Sequence, residues 1–124
     1  MRRPILAILA FMALVACGTG QPGSPGVDRN QITRAEIDEA GPSNLYNLVQ
    51  NLRPTWLQIR GARAASGGQG IPVYLDGSRV GEEDSLRGIH SDNVESLQFL
   101  SSQRASARLG MGHMNGAILV ISRR

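Results

Sequence analysis

The sequence predicts an α+β fold, a small mixed β-sheet of about four strands with short helices packed on it. Three patterns carry that expectation. Leu97 and Phe99 alternate with Ser96 and Gln98, as a half-buried strand requires. Ala117 to Ile121 is an unbroken apolar run, short enough for a strand covered on both faces. Leu45, Leu48, Val49 and Leu52 recur at i, i+3, i+4 and i+7, the stripe of an amphipathic helix.

Taken in order, the folded part is expected to begin at Ile32. Thr33 and Glu36 have the spacing of a capping box, which starts a short helix that runs to Ala40 and closes at Gly41-Pro42. Ser43 is placed to cap the helix carrying the leucine stripe, and Pro54 stops it. Trp56 to Arg60 reads as a strand, with Trp56 a packing anchor rather than a binding platform. Gly61 to Gly70 is a loop of small residues. Ile71 to Leu75 follows as a strand, and Asp76-Gly77 turns the chain back so that Ser78 to Val80 forms a short partner. Glu82, Glu83 and Asp84 load the first turn of a helix through Leu86 with the charge its dipole favours, and Ser91 or Asp92 ends the connection. After the Leu97 strand, Ser102 is expected to cap a helical turn in which Ala105 and Leu109 share a face. Gly110 ends it with a positive φ, and the chain returns as the final apolar strand in the same sheet.

The first 31 residues have a different character. Arg2 and Arg3 precede an uncharged run from Ile5 to Val15, which has the make-up of a secretory leader and is too short to span a bilayer. Leu14-Val15-Ala16-Cys17 then resembles the lipobox of bacterial lipoproteins. That resemblance implies a signal peptide over residues 1–16, with Cys17 as the acylated first residue of the mature chain. Burial of an acyl chain contributes about 0.8 kcal/mol per methylene, so several chains make a firm anchor. Gly18 rather than aspartate after the cysteine implies, by the same resemblance, sorting to the outer membrane. The stretch from Gly18 to Arg29, rich in glycine and proline, has almost nothing apolar to bury, so residues 17–31 are expected to form a tether.

Composition excludes several functions. The chain has 124 residues, room for one domain, with 13 basic residues against 10 acidic. Losing Arg2 and Arg3 with the leader brings the two nearly into balance, which is no electrostatic footprint for nucleic acid. Cys17 is the single cysteine, so the mature fold is expected to hold by packing without an internal disulfide. No constellation of nucleophile, base and metal ligands emerges, and the chain is read as a non-enzyme without cofactors. Gly110, Gly112 and Gly116 do not have phosphate-loop spacing and lie between a helix and a strand rather than before a helix. Met111, His113 and Met114 are soft-metal ligand types, but three residues in one loop are read as loop, not as a copper site. His90 is read as surface, and Asp76 as a turn residue. Ser101, Ser102 and Ser106 have no base beside them, and Gly67-Gly68-Gln69 has no supporting context.

Four segments in order carry a wider resemblance. They are Ile71-Pro72-Val73-Tyr74-Leu75-Asp76-Gly77, Asp92-Asn93-Val94-Glu95-Ser96-Leu97, Ala107-Arg108-Leu109-Gly110 and Asn115-Gly116-Ala117-Ile118-Leu119-Val120. Together with the helices after Ile32, they resemble the plug domain of TonB-dependent outer-membrane receptors, over residues 32–124. Leu109 stands where that family carries an aromatic, and no TonB box is found in the tether. The resemblance implies a plug-like fold and an outer-membrane, periplasm-facing address. It also implies as partner a β-barrel receptor, a TonB-type protein or a periplasmic ligand, met by the loops Gly61 to Gly70 and Gly110 to Asn115. Because the barrel has no counterpart up to Arg124, the expected role is a lipid-anchored binding or interaction module, not a transporter. The other role open to such a chain is structural maintenance of the envelope.

Overall fold

The computed structural model describes residues 26–58 and 70–124. Its centre is a five-stranded mixed sheet of β1 (Gln31–Ile32), β2 (Val73–Leu75), β3 (Ser78–Gly81), β4 (Val94–Leu100) and β5 (Ala117–Ser122), in the order β1-β4-β5-β2-β3. β5 lies in the middle. It runs antiparallel to β4, with Leu97 opposite Val120 and Leu100 opposite Ala117, and parallel to β2, with Val73 opposite Ile118.

Side-chain alternation along the three inner strands divides the interior in two. Val73, Leu97, Ile118 and Val120 point into the larger core, where they meet Ile37 of α1 (Arg34–Ala40) and Leu45, Leu48 and Val49 of α2 (Leu45–Leu52). Leu100 and Ala117, with Tyr74 and Leu119 beside them, point the other way and pack on Ala105 of α3 (Ser102–Leu109). The sheet is therefore covered by α1 and α2 on one face and by α3 on the other. No helix among the described residues is long and apolar enough to cross a membrane.

Several elements are as the sequence predicts. Thr33 and Glu36 form the reciprocal capping box of α1, closed by Gly41. Asp76 and Gly77, with φ of 49° and 87°, make the turn between β2 and β3. Gly110 ends α3 at φ 94°.

Other elements differ. The cap of α2 is Asn44, whose side chain accepts the Asn47 N–H at 2.9 Å. Ser43 is held back by paired contacts with Ser91, donating its N–H to Ser91 Oγ and accepting the Ser91 N–H. The cap of α3 is Ser101, one residue earlier than expected, because β4 ends at Leu100 and leaves Ser101 extended. The strand expected from Trp56 is instead a 3₁₀ turn over Pro54–Leu57, with Pro54 setting its first φ. That turn swings Trp56 inward to 2% exposure, where its indole N–H donates to the Arg29 carbonyl at 2.8 Å. Ile59 and Arg60 lie outside the described residues.

The fifth strand, not expected, is β1. Gln31 pairs with Gln98, and the Asn30 carbonyl accepts the Phe99 N–H at 2.8 Å. The helix expected from Glu82 through Leu86 is present as a 3₁₀ helix over Glu83–Gly88, with Glu83 and Asp84 in its first turn. Ile121, the last residue of the apolar run, is half exposed, so β5 is not covered on both faces at its end.

Candidate functional site

Cys17 and residues 61–69 of the small-residue loop lie outside the described residues. The loop from Gly110 to Asn115 is described, and its anchor is His113. This ring is 5% exposed and has both nitrogens engaged. Nδ1 faces the Gly110 carbonyl at 2.8 Å, so it carries the proton; in the neutral ring Nε2 then accepts the Tyr74 hydroxyl at 2.7 Å. His113 thus ties the loop to β2. Met111 stands outward at 96% exposure, and Met114 at 62%.

The remaining sequence candidates have structural surroundings. Asp76 accepts the Ser122 N–H at 2.9 Å on Oδ1 and the Ser122 hydroxyl at 2.5 Å on Oδ2. Those two bonds hold its carboxyl below the usual carboxylate range. His90 is exposed, and its backbone forms an isolated bridge with Asn44. Ser101 caps α3, Ser102 begins it and Ser106 lies exposed on it. No group of three His, Cys, Asp or Glu residues able to hold a metal occurs among the described residues.

Arg53, which the sequence did not single out, is the main polar staple of the N-terminal half. Its guanidinium donates to the carbonyls of Asp28 and Gln31 at 3.1 Å each and to Glu36 Oε1 at 2.6 Å. Its Nε is buried without a partner among the described residues. Burial pushes the Glu36 carboxyl up, but the Thr33 N–H and Arg53 outweigh it and leave the carboxyl below its ordinary range. This staple fixes the strand-entry segment 28–31 against α1 and α2.

That segment forms one wall of a cleft of about 350 Å³ at the end of β4. Four stretches of chain meet there: Arg29 and Asn30, the 3₁₀ turn with Thr55 and Trp56, the junction from Phe99 to Ser102, and Met114 with Asn115. Trp56 and Phe99 stack with centroids 5.7 Å apart and rings at 22°. Their neighbours around the cleft are amides, hydroxyls, the Met114 thioether and one cation, Arg29; no carboxylate lines it. Sequence periodicity marks Trp56 and Phe99 as core, and nothing in it brings segment 29–30 beside residue 114. That juxtaposition follows from β1 pairing with β4.

No protein-family model matches the chain, and neither a curated protein nor a solved structure matches it.

Proposed function

We propose that the mature chain is a lipid-anchored, plug-like interaction module of the outer membrane, facing the periplasm and attached through Cys17. Its partner is a β-barrel receptor or a TonB-type protein, and it does not itself transport. The observation that carries the reading is the placement of the four plug-like segments. They supply β2 with its turn, the start of β4 and most of β5, three neighbouring strands of one sheet, and the end of α3, which packs on that sheet. The Asp76-Gly77 turn of the first segment is bonded to Ser122, just beyond the last one.

Fractionation of cells fed an alkyne fatty acid tests the anchor. Label is expected on the wild-type chain in the outer-membrane fraction, with Cys17→Ser unlabelled and released. A wild-type chain recovered soluble and unlabelled overturns the anchor. Photo-crosslinkers at Met111 and Val80, both exposed apolar positions, test the partner. Adducts with a barrel or a TonB-type protein are the expected result. Their absence, together with general envelope leakiness on deletion, would place the chain among structural lipoproteins instead.

A further inference from the structure

The cleft at the end of β4 has features that a gap left by imperfect packing does not need. At about 350 Å³ it falls at the small end of the range for ligand sites, about 300–1,000 Å³. Its wall is aromatic in a chain that has one Trp, two Tyr and two Phe in all. The Trp56 N–H is consumed by the Arg29 carbonyl, so the wall offers carbon surface only, with partly exposed Phe99 in front and buried Trp56 behind. Around that wall stand Asn30, Thr55, Gln58, Ser101 and Ser102, side chains that can both donate and accept. Arg29 is exposed at the rim, and no described carboxylate is paired with it.

We infer that this cleft binds an acidic saccharide, one or two sugar rings bearing a carboxylate. A pyranose has an apolar C–H face and a perimeter of hydroxyls, each of which donates and accepts. The first matches the Phe99 surface, the second the amide and hydroxyl rim. Fully charged ligands without a ring leave the aromatic wall unused, and aromatic acids leave the rim unsatisfied. The acidic substituent is set by Arg29, whose planar guanidinium suits a carboxylate through two parallel hydrogen bonds. The small size and open form of the cleft make the affinity millimolar rather than tighter. The inference rests neither on the lipid anchor nor on the plug resemblance.

The single tryptophan makes the test direct, because the indole N–H of Trp56 gives one resonance in an ¹⁵N-labelled spectrum of the full mature chain in detergent. The probes are glucuronate, glucose, acetate and benzoate. Glucuronate is expected to shift the indole signal saturably, glucose to bind about tenfold more weakly, and acetate and benzoate to leave it in place. Arg29→Gln keeps the backbone carbonyl that holds Trp56, and is expected to bring glucuronate down to the glucose level while glucose binding is unchanged. Gln58→Ala, at an exposed rim position, is expected to weaken both sugars. No saturable shift with either sugar would overturn the inference, as would benzoate binding as well as glucuronate. An Arg29→Gln chain that binds glucuronate at full strength would overturn it too.

Discussion

Gly116 sits where β5 begins beside the end of β4, and a methyl group there would strike the Leu100 carbonyl and come within 2.8 Å of Phe99 Cζ. Its φ of 86° also disfavours any L side chain. Gly116→Ala is therefore expected to cost about 2–4 kcal/mol, read from urea unfolding, by forcing apart the central strand pair. Asp76 gives a pH signature of its own. Its folded-state pKa lies below the unfolded value of about 3.9, so its contribution is present above that pH and is lost as pH falls through the folded value. Glu36 and Asp38, the latter held down mainly by its bond to Arg34, act in the same direction. Acid titration of stability is expected to show a shallower decline for Asp76→Asn than for the wild type. An unchanged slope would mean that the two Ser122 bonds do not persist in solution.

Among the elements, α2 separates two adjacent polar residues by role. Asn44→Ala is expected to cost about 1 kcal/mol and Ser43→Ala to change stability by less than about 0.5 kcal/mol, since only the first removes a side-chain cap. Chemical unfolding of both variants checks this. The same helix shows what was legible in the sequence and what was not. Its apolar stripe, the Thr33 and Glu36 box, the Asp76-Gly77 turn and the β4–α3–β5 order depend on near neighbours in the chain, so local pattern reveals them. Asn44 caps in place of Ser43 because the backbone of Ser43 is tied to Ser91, distant in sequence, and the helix begins one residue later. Trp56 enters a 3₁₀ turn because Pro54 precedes it and the Arg29 carbonyl awaits its N–H. β1 is only two residues long, too short for any periodicity, and it is recognisable only from its pairing with β4. The cleft was illegible for the same reason: its walls come from four separate stretches, joined by contacts that no local pattern encodes.

At the scale of the whole molecule, the sheet with a helical layer on each face requires no covalent cross-link. Cys17 is the single cysteine, so the thermal midpoint is expected to be the same with and without reductant. A midpoint lowered by reductant would reveal a disulfide between two copies contributing to stability. The order β1-β4-β5-β2-β3 also has a consequence for how the chain acquires its shape. The middle of the sheet is supplied by residues 117–122, the last of the described strands in chain order. Until they emerge from the ribosome, the β2–β3 hairpin and the β1–β4 pair have no strand between them to pair with. A nascent polypeptide lacking β5 thus stays loose, and closure of the sheet waits for that one strand.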